Sequence, residues 1–213
     1  MKCEKSVSDT NPPGYPGMTP SWTSSSKSAV GTSNTNEGRI WFTLSRGIIN
    51  EVYYPRIDQV NTRDLEFLVT DGSEFFEEEK QHCKHQILPL AQGVQGFRLT
   101  NTSKQGRFRI IKTILTDPRR DVLLQQVHFE PLQGQLTDYH LYVLLAPHIK
   151  NHGYSNNGWV GDYKGIPMLF AQREDIVLAL ACSTPFLGMS CGYAGYSDGW
   201  QDINKHKCMT QFY

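Results

Sequence analysis

The sequence predicts an all-β protein, an antiparallel stack of sheets preceded by an extended amino-terminal arm. Three observations predict it. Short runs rich in branched and aromatic residues follow one another, separated by Gly, Pro, Asn and Asp. No segment holds a helical period over three turns, so helix should be scarce. Leu123, Val127 and Phe129 share one parity, with Gln125 as the interruption, as on a strand with one buried face.

Taken in order, residues 1–38 are rich in Pro, Gly, Ser, Thr and Asn and poor in large aliphatic side chains. They read as an irregular arm, with Tyr15, Met18 and Trp22 as apolar anchors onto a neighbouring sheet. Strands are expected over 39–45, 48–54, 64–70, 96–101, 108–115, 122–130, 139–146, 168–173 and 176–183. Arg46-Gly47, Asp71-Gly72, Lys104-Gln105-Gly106, Asp117-Pro118, Gln133-Gly134 and Glu174-Asp175 break them, several tightly enough for hairpins. The run Leu141 to Ala146 is apolar at both parities and suggests a strand covered on both faces, in the middle of stacked sheets. Residues 188–213 stop without a polar tail, so the sandwich over 39–213 is expected to be cut short at its carboxyl end. There is no internal repeat of fixed period, which argues against a propeller or solenoid.

The chain has 213 residues, and its 21 Lys and Arg balance its 21 Asp and Glu. Without a basic stripe it lacks the electrostatic footprint of a nucleic-acid binder. No apolar run approaches the length needed to cross a bilayer, and the opening MKCEKSVSDT lacks the apolar core of a secretory signal. The expectation is a cytoplasmic protein with no membrane partner. Five cysteines, at 3, 83, 182, 191 and 208, form no CxxC pair and are expected as free thiols. Cys182, in the apolar run that follows Ile176, reads as a small buried hydrophobe.

The chemistry on offer suits sugars. A pyranose presents a face of C–H groups and a rim of hydroxyls, which an aromatic platform flanked by planar polar side chains can hold. Tyr53, Tyr54, Arg56 and Asp58 supply those types close together, with Trp41 brought near if Arg46-Gly47 turns the chain. The competing reading makes Trp41 and one tyrosine core, and pairs Arg56, Asp58, Arg63 and Asp64 to hold a loop. Alternation places Tyr53 and Tyr54 on opposite faces, so at most one is exposed. Trp159 and Tyr163, in YSNNGWVGDYKG, are a second candidate surface on what reads as a long loop, unless Trp159 folds back as an anchor.

Other clusters carry less. Glu51, Asp58, Asp64 and Glu66 are carboxylates of the type glycoside hydrolysis uses, yet nearness in sequence does not make a catalytic pair. No catalytic residue is assigned. His82-Cys83-Lys84-His85 has no partner pair at zinc spacing, so no metal is expected, and no sequence motif calls for a cofactor. Glu77-Glu78-Glu79-Lys80 reads as a solvated turn or edge.

Several segments together carry a family resemblance: Gly14 to Gly17, WTSSSKSAVGT from Trp22, Arg39 to Ser45, NEVYYPRID from Asn50, and Thr62 to Leu65 with Thr70-Asp71-Gly72. In this order they resemble the amino-terminal β domain, domain N, of prokaryotic family 15 glycoside hydrolases, the glucoamylases and glucodextranases. The resemblance implies a galactose mutarotase-like antiparallel β supersandwich wrapped by an extended segment. It implies a larger enzyme in which a helical (α/α)6 barrel, absent from this sequence, carries the catalytic glutamates and acts on α-glucan. The chain is then a non-catalytic support for that barrel, inactive alone, with Tyr53, Tyr54, Arg56 and Asp58 at the domain interface or glucan rim. Two alternatives accompany it: a stand-alone glucan-binding module using Trp159 and Tyr163, and a mutarotase-like sugar enzyme using His128, Glu130 and His140.

Overall fold

The computed structural model describes residues 6–7, 11–22 and 26–213. Its elements are β1 (Ser6–Val7), β2 (Ala29–Thr32), β3 (Trp41–Ser45), β4 (Ile48–Tyr53), β5 (Thr62–Thr70), β6 (Phe76–Glu78), α1 (Glu79–His82), β7 (Cys83–Pro89), β8 (Phe97–Ser103), β9 (Phe108–Thr116), β10 (Leu123–Pro131), β11 (His140–Pro147), β12 (Asn157–Tyr163), β13 (Ile166–Arg173), β14 (Ile176–Leu180), α2 (Gly199–His206) and β15 (Gln211–Phe212). Single 3-10 turns at Leu136–Asp138 and Ile149–Asn151 flank β11.

Two sheets make the sandwich. One has the order β11-β5-β4-β3-β2, with β6 also paired to β5, and the other has the order β10-β9-β8-β7. All of these pairings are antiparallel. A third, antiparallel sheet is β12-β13-β14, and β1 pairs in parallel with β15.

The core forms where the strand alternation predicts it. Along β9 every second residue from Phe108 to Thr116 is buried. Phe42, Leu44 and Ile49 of the first sheet meet Leu99 and Ile114 of the second. Phe67 and Val69 meet Phe108 and Ile110, with Val127 and Phe129 packed alongside. Each such side chain removed from water contributes about 1.5–3 kcal/mol. A smaller cluster of Ile149, Ala171 and Ile176, with Tyr54 and Leu178 against it, holds the inner face of the third sheet.

Between the apolar halves lies a buried polar node. The Lys112 ammonium sits 2.7 Å from Glu79 Oε1, both side chains wholly buried. Glu79 Oε2 accepts from the Phe67 amide (3.1 Å), and Oε1 accepts from the Asn101 side chain. Asn101 also donates to Gly47 O (2.8 Å), and its Oδ1 lies 3.0 Å from His85 Nδ1. β4 pairs with β5 at Leu65, and β6 takes over at Leu68. The Glu79 carboxylate therefore fills the place of a strand in that gap, satisfying an amide that burial would otherwise strand.

Several expectations need correction. Residues 29–32 of the arm form β2, because the β3 edge offers them a ladder. Glu77, Glu78 and Glu79 are buried rather than solvated, since each has a partner in Arg107, the Trp200 indole or Lys112. β11 is an edge strand, half-buried: Val143 packs into the core, while Leu141 stays exposed. Cys182 is exposed because it lies just past the end of β14. Cys83, Cys182 and Cys191 are free, but Cys208 is disulfide-bonded; Cys3 lies outside the described residues. YSNNGWVGDYKG is a strand and turn, not a long loop, because β13 supplies a partner along all of β12.

Tyr15, Met18 and Trp22, expected as buried anchors on a sheet, instead stay largely exposed and touch loop residues at their edges. Tyr15 meets Tyr193 edge-on at 5.7 Å, the Met18 amide donates to Ala194 O (2.8 Å), and Trp22 packs on His148 at 4.6 Å. No helix among the described residues is long and apolar enough to cross a membrane.

Candidate functional site

The first predicted cluster forms at the open end of the β3–β4 hairpin. Arg46 and Gly47 both take positive φ, 49° and 74°, and their turn brings Trp41 into register with Tyr53. The Tyr53 hydroxyl donates to Glu51 Oε2 (2.7 Å), and Lys27 of the arm pairs with the same carboxylate oxygen. Burial, then the bond to Glu51, raises the Tyr53 phenol well above its ordinary pKa. Tyr54 leaves on the other side. Its ring lies under the Arg39 guanidinium (4.8 Å), its hydroxyl accepts from Arg39 (2.8 Å), and Arg39 is fixed in turn by Asp121. Both tyrosines are half-buried, Tyr53 held by Glu51 and Tyr54 by Arg39.

The loop that follows presents the charge. Arg56 and Asp58 form a bidentate pair, 3.0 and 2.8 Å, with side chains 74% and 63% exposed. A pair this open contributes little stability, which leaves it available to a partner. The loop is nevertheless held: Asn151 donates to Asp58 O (3.0 Å) and accepts from the Val60 amide (2.8 Å). Beside it, Lys150 reaches Glu174 and Asp175 at the β13–β14 turn.

Trp159 and Tyr163 lie elsewhere, on the third sheet. Pairing places Trp159, Gly161 and Tyr163 of β12 on the same face as Phe170 of β13 and Val177 of β14. Trp159 stacks on Phe170, with centroids 5.3 Å apart and planes 13° from parallel. Gly161 permits this, because a Cβ there would crowd both rings. Trp159 therefore folds back, yet it stays 39% exposed on the face that also carries Tyr163 at 55% and Val177 at 53%. The result is an open apolar face with an aromatic centre. Nothing in the geometry joins it to the Arg56–Asp58 loop into one site.

The candidate carboxylates do not form a glycosidase pair. Glu51 and Asp58 are taken up as described, while Asp64 and Glu66 are buried under Lys80, 3.0 and 3.6 Å from its ammonium. Burial pushes Glu66 up to about 8, against the pull of Lys80. That is the pKa of a group that holds a proton, but no substrate reaches it. In the His82–His85 segment, His82 Nδ1 accepts the Glu78 amide, His85 joins the node, and burial raises the Cys83 thiol to about 12. Each group is engaged structurally. His128 and His140, weighed for mutarotase chemistry, sit on strands of different sheets, and Glu130 is paired with Arg109.

Sequence reasoning missed Trp200. It belongs to α2, whose first turn is capped by the Asp198 side chain accepting from the Gln201 amide. Asp198 before the helix and Lys205-His206 in its last turn were the legible signals. The Trp200 Nε1–H donates to Glu78 (3.1 Å), opening onto a cleft along β6 and α1.

Comparison with known proteins decides what this scaffold is. The family described as glucodextranase, domain N, matches residues 12–213. The chain belongs to that family. It is 39% identical over 198 residues to a glucoamylase of Clostridium sp. (strain G0005), covering 93% of this chain and 28% of that protein. It superimposes on the crystal structure of a bacterial glucoamylase complexed with acarbose with a TM-score of 0.91 and 38% identity, covering 98% of this chain and 31% of that one. The supersandwich expected from the resemblance is thereby established, and this domain N spans under a third of the relatives it matches.

Proposed function

We propose that this domain N works as the non-catalytic part of a glucoamylase-type glycoside hydrolase, supporting a catalytic helical barrel and shaping the rim of its α-glucan site. The observation that carries the reading is coverage: nearly the whole chain matches, and it matches under a third of each glucoamylase. The described carboxylates support a non-catalytic role, because each candidate is buried or ion-paired. The surface for the work is the Arg56–Asp58 loop, exposed yet anchored by Asn151.

The test is to place Arg56→Ala and Asp58→Ala in the full-length enzyme. We expect a raised KM for maltooligosaccharides or a loss of coupled unfolding between the domains, while each variant domain alone melts like the parent. Unchanged kinetics together with unchanged coupling would overturn the reading.

A second reading, direct glucan binding by the β12–β14 face, is favoured by the exposed Trp159–Phe170 stack with Tyr163 on the same face. It requires that maltoheptaose bind this chain and that Trp159→Ala remove the binding.

A further inference from the structure

Between β6, α1 and α2 lies a cleft of about 580 Å³, within the range of small-molecule sites. We propose that this cleft binds a neutral oligosaccharide, at a site built from elements other than those carrying the Arg56–Asp58 loop and the Trp159 face.

The wall is aromatic and fixed. Phe76 and Trp200 meet edge-to-face with centroids 5.7 Å apart. The indole cannot swing freely, because its one polar atom is committed to Glu78. A ring preset in this way offers apolar contact without a further entropy cost on binding.

Charge decides the ligand class. Glu74, Glu77 and Glu78 are matched in the lining by Lys104, Arg107 and Lys207. The two buried carboxylates are already occupied: Glu77 by Arg107 and the Ser103 hydroxyl, Glu78 by Trp200, Gln81 and Lys80. Lys104 and Lys207 are likewise turned to backbone carbonyls, of Gln81 and Asn204. The formal charges of the lining therefore sum to zero, three carboxylates against three cations, so the cleft as a whole favours neither sign of ion. What remains at the rim is neutral hydrogen-bonding capacity from the Gln81 side-chain oxygen, His82 and the Asn204 side chain. His82 Nδ1 accepts the Glu78 amide, so in the neutral ring the proton sits on Nε2, which becomes a donor. An aromatic wall beside neutral donors and acceptors matches the C–H face and hydroxyl rim of a pyranose.

This site does not depend on the supporting role proposed above, because it is read in the isolated chain. The probes are maltotriose and isomaltotriose, followed through the indole N–H resonance of Trp200, assigned with Trp200→Phe. We expect a saturable shift in the parent chain. Asn204→Trp, which fills the cleft, should abolish it, and Gln81→Ala should weaken binding about tenfold, the worth of one hydrogen bond. Trp159→Ala should leave it unchanged. The circular dichroism spectra of Asn204→Trp and Gln81→Ala should match that of the parent, so that a lost shift reports the cleft and not unfolding. No saturable shift with either sugar, or a shift that survives Asn204→Trp, would overturn the proposal. Neither result bears on the docking test, which is read from Arg56 and Asp58 in the full-length enzyme.

Discussion

Glu79 and Lys112 form a contact ion pair at 2.7 Å with no solvent access to either side chain, between the two halves of the sandwich core. The carboxylate does more than neutralise the lysine, since it also accepts from the Phe67 amide and the Asn101 side chain. Lys112, which makes no directed hydrogen bond and lies 5.7 Å from the Phe67 ring, depends on Glu79 for its charge balance.

Removing one partner should therefore cost more than removing both. Lys112→Met leaves a buried carboxylate uncompensated and should destabilise by about 3–5 kcal/mol. Adding Glu79→Gln, which keeps an acceptor for Phe67, should recover a large part of that loss. Urea unfolding of the two single variants and the double variant checks this, and purely additive losses would refute the coupling.

Glu66 makes stability depend on pH in an unusual direction. Burial raises its folded pKa to about 8, well above the value of about 4.3 in an unfolded chain. The folded state thus holds the proton more tightly. Its contribution is fully present below the unfolded value and is lost as pH rises through about 8. Asp64, also raised by burial, acts in the same direction. Stability should fall between pH 5 and 8 by a few kcal/mol at most, and Glu66→Gln should flatten that slope. Matching slopes in melting curves of parent and variant would rule out Glu66 as the source.

Gly47 and Gly93 separate backbone strain from collision. Both take positive φ, 74° and 77°, but a Cβ on Gly93 meets nothing within 4 Å, whereas one on Gly47 collides with Asn101 Oδ1 and His85 Nδ1. Gly93→Ala should cost about 1–2 kcal/mol, the left-handed penalty alone. Gly47→Ala should exceed that by at least about 1 kcal/mol, because the polar node must move. Thermal unfolding checks the order, and equal losses would remove the close-approach argument.

Much of this was legible along the chain. FRIIKTILT alternates, and Lys112 falls on its inward parity, an anomaly visible in the sequence itself. Its partner was not visible, because Glu77-Glu78-Glu79-Lys80 has the composition of a solvated turn and becomes interior only when α1 fills the gap between β4 and β6. The β12 strand was hidden for a related reason. Its glycines and asparagine suit a loop, and β13 overrides that preference with a full ladder.

The candidate residues divide in the same way. Arg56 with Asp58, and the turn that sets Trp41 opposite Tyr53, follow from local spacing and turn chemistry. Trp200 reaches Glu78 only through tertiary packing, and so does the cleft they border. By itself the sequence determined the all-β class, the hairpin turns, the alternating core faces and the family, because each rests on short-range pattern or motif order. Tertiary structure alone decided which charges are buried, which aromatics stay open and where a cleft forms, because burial belongs to surfaces that meet only after distant strands have stacked.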